Sequence, residues 1–316
     1  MPEAKMPSNE APVPFQEEFL KCWRQLPDKA LFFGLLAVWC VLFHFRGNAT
    51  FGWVETPSLF GWMYWAFTTW PDDEHCSLIP FVVLGLLWWK RQELLDAPKG
   101  IWWPALGVVV AGLLLHILGF MIQQARVSIV GFFAGLYGLT GLVWGKHWLR
   151  ASLFPMILFA FCVPLGTMAD ALTVPMRMLV AKAAVGFSNM VLGIPVISIG
   201  SQIFGQGGFQ YDVAPACSGI RSLIALLAMT TVYGFVTFRP AWKRILMIFT
   251  AVPLALLGNI VRITGVIVTG DAFGHKAGAM VEQKLGFVTF AVAIGCVLAL
   301  GYFLRDQEAG RQTVPS

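Results

Sequence analysis

Residues 211–222, YDVAPACSGIRS, place a cysteine, a serine and an arginine just before a long apolar stretch. Cys217 would lie at the start of a helix, where the positive end of the helix dipole favours a thiolate over a thiol. Arg221, one turn further on, would lie on the same helix face, and its positive charge would also favour the thiolate form of Cys217. Because a thiolate attacks carbonyl carbon, the stretch predicts a cysteine nucleophile. The alternative interpretation is a small buried cysteine capped by Ser218.

A second polar pair lies inside the apolar run RILMIFTAVPLALLGNIVRITGVIVTG. Asn259 and Arg262 are about one helical turn apart and therefore share a helix face. An arginine within a membrane span is costly unless it finds a partner or water, so it indicates a functional site. The alternative is an arginine that snorkels to lipid phosphates, which Asn259 on the same face makes less attractive.

Proton carriers are available after this run and in an earlier loop. His275 and Glu282 lie in the segment GDAFGHKAGAMVEQKLGF, and His75 follows three acidic residues in WPDDEHC. A solvated loop histidine is the alternative interpretation of His75. A thiol, an arginine and an ionisable base are the parts of a cysteine nucleophile, an oxyanion stabiliser and a proton carrier.

Composition shows which elements must position these residues. Hydrophobic residues make up 57% of the 316 positions and charged residues 12%, and the mean hydropathy is +0.71. One soluble core cannot bury so many apolar side chains, so the chain belongs in a bilayer. The net charge of +5 is small and scattered, which argues against nucleic acid as a partner. The dispersed Cys and His residues lack ligand spacing, so we expect no metal and no cofactor.

Apolar runs bounded by charges predict an all-α, polytopic membrane helix bundle. We expect eight transmembrane helices, near residues 30–46, 78–89, 101–121, 127–145, 151–168, 219–238, 244–268 and 285–304. The second run is short. In this organisation residues 1–29 form a cytoplasmic N-terminal segment, 30–304 the transmembrane domain and 305–316 a cytoplasmic tail.

The segment between the fifth and sixth runs differs in composition. Residues 171–192 carry Pro175, Arg177 and Lys182 among apolar residues, which predicts an amphipathic helix on the membrane surface. Residues 193–216 then alternate apolar and polar positions around a QGG turn, as a small hairpin would. That hairpin leads directly into Cys217.

Positive charge orients the bundle. Lysines and arginines flank alternate ends of the predicted spans, whereas the loop with Asp72, Asp73 and Glu74 is acidic. By the positive-inside rule both termini are cytoplasmic, and Cys217 and the hairpin lie on the outer face. The first span lacks a small-residue cleavage site, so we expect a retained anchor in the inner (cytoplasmic) membrane.

The chain resembles the exosortase/archaeosortase family of multi-spanning membrane cysteine transpeptidases. The signature of that family is CSG with a nearby RS, NxxR in the next span and a histidine before the last span. The first element is matched by five residues, Cys217, Ser218, Gly219, Arg221 and Ser222, and the second by Asn259 and Arg262. The resemblance covers roughly residues 72–304, because WPDDEHCSLIPFVVLGLLWWKR is similar to the family's early SHG loop and following helix.

The third element departs from the family pattern. Where the family has VHExxG, this chain has VEQKLG, with Glu282 at the place of the histidine. His275 lies seven residues earlier, about two helical turns away if that loop is helical. Either His275 substitutes from a neighbouring turn or Glu282 has taken over the polar role. We favour His275, because imidazole both accepts and donates a proton near neutral pH.

The resemblance implies a reaction and partners. The substrates would be exported proteins with a C-terminal sorting signal: a short motif, a transmembrane helix and a basic tail. Cys217 would attack the motif, Arg262 would stabilise the oxyanion, and a lipid or envelope-polymer amine, or water, would release the thioester. Ser218, Asn259, Arg221 and His75 are further residues expected to contact substrate or act as bases.

Two other classes remain open at this stage. A non-enzymatic transporter would also carry polar residues in a span, but it would usually show broken helices or repeat symmetry. An envelope polysaccharide assembly protein needs no thiol. Pairing of Cys217 with Cys76, the other cysteine expected outside, would favour these classes over an enzyme.

Overall fold

The protein is described here by a computed structural model, which covers residues 14–48, 50, 54–205, 210–212 and 220–311. The helices in chain order are α1 (Phe15–Gln25), α2 (Lys29–Arg46), α3 (Leu59–Thr69), α4 (Ile79–Trp89), α5 (Arg91–Asp96), α6 (Ala105–Met121), α7 (Ala125–Ile157), α8 (Asp170–Phe187), α9 (Ile220–Thr237), α10 (Ala241–Phe273) and α11 (His275–Arg311). Short 3₁₀ or π turns occupy Pro71–Ser77, Leu158–Cys162, Gly166–Ala169 and Ser188–Leu192. The strands are β1 (Val196–Ile199), β2 (Gln202–Gly205) and β3 (Gln210–Asp212).

The described part of the chain contains five helical segments long and apolar enough to cross a membrane, Lys29–Arg46, Ala125–Cys162, Ile220–Thr237, Ala241–Phe273 and Lys284–Arg305. The predicted all-α membrane bundle is confirmed, whereas the count of eight spans is not. The second predicted span corresponds to α4, whose 11 residues extend only about 16 Å at 1.5 Å per residue, against a hydrocarbon core of about 30 Å. The third predicted span corresponds to α6. Its 17 residues are also too few to cross a hydrocarbon core of that thickness as a helix.

The segment Ala125–Cys162 folds back on itself and accounts for two predicted spans. Gly145 has φ 93° and ψ 176°, which interrupts the helical backbone. Across this interruption, the Tyr137 hydroxyl donates to the carbonyl oxygen of Leu149 at 2.8 Å. The rings of Phe133 and Phe159 stack with centroids 4.1 Å apart. A straight helix would separate two residues 26 positions apart by about 39 Å, so this segment is a helical hairpin that turns at Gly145.

The chain divides into two compact units. The first comprises Met1–Trp65 and Ser77–Val163, and the helical hairpin packs against α6 within it. Glycines permit that close approach: a Cβ added at Gly112 would lie 2.6 Å from the carbonyl oxygen of Gly131. Small residues at such crossings are typical of helix packing in membranes.

The second unit comprises Ala66–Cys76 and Pro164–Ser316, and it contains every described residue of the predicted site. Its central helix is α10, against which α8, α9 and α11 all pack. With 33 residues, α10 is about 50 Å long and exceeds the thickness of a hydrocarbon core. The predicted amphipathic helix at 171–192 corresponds to α8 and the turn Ser188–Leu192.

The predicted hairpin before Cys217 forms, with one difference. Strands β1 and β2 pair antiparallel around Gly200 and Ser201, and Gly200 has the positive φ of 64° that this tight turn requires. A third strand, β3, adds to β2 and makes a three-stranded sheet. The predicted QGG turn at 206–208 lies outside the described residues. One face of the sheet packs with α8 and α10 around buried apolar side chains, among them Val196, Ile203, Tyr211, Val180 and Val266.

Candidate active site

The predicted nucleophile, Cys217, lies outside the described residues together with Ser218 and Gly219. The structure describes the chain on either side of them. Before them, β3 ends at Asp212; after them, α9 begins at Ile220, which is fully buried. Arg221 and Ser222, which belong to the same CSGIRS motif, therefore lie in the first turn of α9. The position of these two side chains shows what surrounds the entrance of the helix.

Ser222 meets the second motif at a small cavity. The cavity holds about 30 Å³, room for one or two water molecules. Its polar lining residues are Ser222 of α9, Asn259 and Arg262 of α10, and Thr289 of α11. No carboxylate occurs among the described residues that line it. The cavity therefore favours a small, electron-rich group such as an oxygen atom that carries negative charge.

Arg262 lies against a glycine of α11. A Cβ added at Gly286 would lie 3.3 Å from Nη1 of Arg262, which is closer than most such contacts. Asn259, one turn earlier on α10, is only 4% exposed. The structure thus brings Asn259 and Arg262 to one cavity, as the spacing predicts, and Gly286 leaves the space that the guanidinium occupies.

A second polar cluster surrounds Arg221, which is exposed and points to a different neighbour. Its Nε lies 3.6 Å from Oδ1 of Asp72, in the 3₁₀ turn Pro71–Ser77. In the same turn, Nδ1 of His75 lies 2.9 Å from the carbonyl oxygen of Asp72. Two residues of the predicted site, Arg221 and His75, therefore contact the same acidic residue.

Burial shifts the pKa values of Asp72 and His75, which lie outside the candidate membrane spans. Burial raises the pKa of Asp72 above its ordinary value, and the Arg221 guanidinium opposes that shift. Burial also lowers the pKa of His75, which its hydrogen bond to Asp72 and the neighbouring carboxylates partly counteract. At neutral pH the His75 imidazole is therefore uncharged.

Asp73 holds the turn in place, a role for which the sequence carries no specific signal. Its carboxylate is 1% exposed and accepts the backbone N–H groups of Leu165 at 3.0 Å and Gly166 at 2.8 Å, one on each oxygen. Such hydrogen bonds to a charged acceptor are stronger than neutral ones. The only signal in the sequence is the run of three acidic residues, Asp72 to Glu74, directly before His75, which fits a solvated loop equally well.

The positions of His275 and Glu282 follow from the backbone of α11, since their side chains lie outside the described part. His275 is the first residue of the helix, directly after Gly274. At 1.5 Å per residue, position 282 is about 6 Å and position 275 about 16 Å along the axis from Gly286, the neighbour of Arg262. Both positions fall close to the face of Gly286. Along the helix, Glu282 is thus much nearer to Arg262 than His275 is.

Fold and composition define a polytopic helical membrane protein. A family model for transmembrane exosortases matches residues 65–299, which is well over half of the chain and includes both motifs and the turn that carries His75. The chain therefore belongs to the transmembrane exosortase family. No curated protein and no solved structure matches it.

Proposed function

We propose that this exosortase is a cysteine peptidase and transpeptidase that cleaves the C-terminal sorting signals of exported proteins. One observation supports this best: a residue of the CSGIRS motif, Ser222, lines the same cavity as Asn259 and Arg262 of the NxxR motif. Since Ser222 is five residues after Cys217, the thiol is expected near that cavity. The resemblance to the family supplies the substrate class, a short motif followed by a transmembrane helix and a basic tail.

The Cys217 thiolate adds to the scissile carbonyl carbon, and the carbonyl oxygen takes the negative charge. Arg262 is well suited to stabilise that oxyanion, because its planar guanidinium offers two N–H donors to one oxygen. The cavity of about 30 Å³ has room for a carbonyl oxygen, which Arg262 would contact. Asn259 and Ser218 would contribute further hydrogen bonds to substrate.

Collapse of the tetrahedral intermediate breaks the C–N bond and leaves a thioester on Cys217. A proton carrier, for which His275 and Glu282 are the candidates on α11, gives the leaving amine its proton. An amine of a lipid or envelope polymer, or water, then attacks the thioester and regenerates the thiolate. The exported domain is released from its membrane tail. No step calls on a cofactor.

Co-expression with a substrate tests this proposal. The probe is a reporter fused to the C-terminal segment of an exported protein from the same genome that ends in a shared motif, an apolar helix and an Arg-rich tail. We expect the reporter to lose its tail and a fraction of the protein to carry it as a hydroxylamine-sensitive thioester. A set of such reporters that stay full-length beside correctly inserted protein contradicts the proposal.

The reaction requires Cys217 on the outer face of the membrane, with residues 30–304 forming the transmembrane domain and both termini cytoplasmic. A topology reporter placed after residue 90, within the basic group of Lys90 and Arg91, is expected to read cytoplasmic. One inserted at residues 205–210 is expected to read external. The opposite pair of results puts Cys217 in the cytoplasm, where exported substrates do not present their motif.

A further inference from the structure

α1 is an amphipathic helix that precedes the first candidate membrane span. At about 100° per residue, its apolar and charged residues separate onto opposite arcs of the helix. The apolar arc carries Phe15, Phe19, Leu20, Cys22 and Trp23, interrupted by Gln16, and the charged arc carries Glu17, Glu18, Lys21 and Arg24. The four large apolar side chains are each between 42% and 64% exposed. The protein itself therefore leaves much of the apolar arc uncovered.

One edge of α1 is held against the junction of α4 and α5. Nε of Arg91 donates to Oε1 of Glu18 at 2.9 Å, and the Arg91 guanidinium lies 4.8 Å from the ring centroid of Trp88. The ring of Phe15 also packs on Trp88, with centroids 5.1 Å apart. These contacts lie at one border between the two arcs, so they fix how the helix is rotated. Leu20 lies at the opposite border of the apolar arc, away from α4 and α5, and is exposed.

The end of the first unit where α1 lies has the composition of a membrane–water interface. α4 ends in Trp88 and Trp89, and a lysine and an arginine follow directly. α2, a candidate span, begins at Lys29. Nε1 of Trp144 donates to the carbonyl oxygen of Pro27 at 3.0 Å, which ties the linker between α1 and α2 to the turn of the helical hairpin. Since Trp and basic residues cluster at the headgroup level where spans end, α1 lies at that level.

The chain turns sharply between α1 and α2, so α1 does not extend the span. Asp28, in the linker, has a φ of 48°, a left-handed conformation that Asp adopts more readily than most residues. Nζ of Lys29 donates back to the carbonyl oxygen of Trp23 at 2.6 Å, and the ring centroids of Trp23 and Phe33 are 5.5 Å apart. α1 is thus folded back beside the start of α2. Its 11 residues extend about 16 Å, too little for a crossing but enough for a helix in the plane of the interface.

The apolar arc of α1 is continuous with a surface that faces lipid. Phe33 of α2, whose ring packs against Trp23, is itself exposed, and so is Val38 further along the same span. Apolar side chains exposed on a membrane span are covered by acyl chains. A bilayer therefore covers the open side of α2 and the apolar arc of α1 as one surface.

We propose that α1 is an interfacial helix that docks on the lipid bilayer at the basic end of the first unit. Phe19, Leu20 and Trp23 enter the boundary between headgroups and acyl chains, to a depth of about 5–10 Å. Lys21 and Arg24, on the charged arc, face the headgroups and water. Helices of this kind bind through the apolar area that they bury and through the attraction of basic residues to anionic lipids. This docking is independent of the proposed reaction, because α1 belongs to the first unit and the candidate cavity to the second.

Photo-crosslinking in the full-length protein identifies what covers the apolar arc. The photoreactive residue p-benzoylphenylalanine replaces Leu20 or, as the control on the charged arc of the same helix, Glu17. The protein is reconstituted into vesicles of phosphatidylcholine and phosphatidylglycerol and irradiated. We expect phospholipid adducts, measured by mass spectrometry, to be several-fold more abundant at position 20 than at position 17. Crosslinks from position 20 to a second copy of the chain overturn the proposal in favour of a protein interface, and equal lipid yields at the two positions overturn it in favour of a solvated helix.

Leu20→Glu tests the docking without a bulky probe. Glutamate forms helix about as well as leucine, so the change acts through the loss of apolar contact and the cost of placing a charge in the interface. We expect the backbone amides of residues 15–25 to exchange hydrogen several-fold faster than in the wild type in the same vesicles. Gln25→Glu adds the same charge on the side of α1 away from the apolar arc, and its exchange should match the wild type. Exchange in Leu20→Glu as slow as in the wild type overturns the proposal, because the arc then gains nothing from lipid.

Discussion

Cys217→Ala is expected to slow reporter processing at least about a thousandfold, because loss of the nucleophile removes the covalent route altogether. Cys217→Ser is expected to be nearly as damaging, since a hydroxyl is far harder to ionise than a thiol. Both changes are small, so the variants should insert and accumulate like the wild type. The measurement is the rate at which the reporter loses its tail, normalised to the amount of protein in the membrane.

The chain offers a matched control for that loss. Cys296 is exposed on α11 and lines no part of the cavity that Ser222, Asn259 and Arg262 share. Cys296→Ala should process the reporter at the wild-type rate, which separates the loss of one particular thiol from the general effect of replacing a cysteine. Full processing by Cys217→Ala would end the cysteine-enzyme interpretation and return weight to the transporter or assembly-protein alternatives.

The elements that the sequence predicts well are those whose signal is local. Helices α9 and α10 and the apolar part of α11 each carry a run of apolar residues bounded by charge, and hydropathy finds them. The spacing of Asn259 and Arg262 on α10 is likewise a local property, because it follows from the helical period. That spacing places both residues on one helix face, and the packing of α9 and α11 against that face forms the cavity.

Short elements escape such an analysis. α3 has 11 residues and was not predicted at all, since so short a run, LFGWMYWAFTT, does not resemble a span. β3 has three residues and forms only because β2 lies alongside it. The turn at Gly145, by contrast, falls where the sequence separates two predicted spans, 127–145 and 151–168, and the contacts across it show that the two helices form a hairpin.

Contacts between distant parts of the chain explain what was missed at the site. The partners of Asp73 are 92 and 93 residues away in the sequence, so no local pattern distinguishes this carboxylate from its solvated neighbours. The same holds for Asp72 and Arg221, which belong to different motifs. The sequence therefore does not connect His75, which lies in the same turn as Asp72, with the CSGIRS motif.

Arg262→Lys is the second large effect that we expect, at least about 100-fold on reporter processing, the usual cost of losing an oxyanion-hole donor. Lysine keeps the charge and can snorkel to lipid phosphates, but it lacks the planar fork that presents two donors to one oxygen. A structural arginine should therefore tolerate this change, whereas a catalytic one should not. The loss should fall on kcat, because the oxyanion exists only in the transition state and the intermediate that follows.

Gly286, which lies against Arg262, allows a milder perturbation of the same guanidinium. Gly286→Ala puts a methyl group 3.3 Å from Nη1 of Arg262, so the guanidinium must shift by a few tenths of an ångström. We expect a loss on the order of tenfold, because catalysis is sensitive to small misplacements. Gly295→Ala is the matched control on the same helix: its added Cβ meets nothing within 4 Å, and processing should be unchanged.

Together these variants distinguish the two arginines. If Arg262→Lys and Gly286→Ala both process the reporter at nearly the wild-type rate, the oxyanion role of Arg262 is wrong. Arg221 then becomes the better candidate, because it belongs to the CSGIRS motif and its guanidinium is exposed beside Asp72. If both variants lose activity while Arg221→Lys does not, the charge of Arg221 serves the ion pair with Asp72, which lysine retains. The oxyanion is then stabilised in the cavity between α9, α10 and α11.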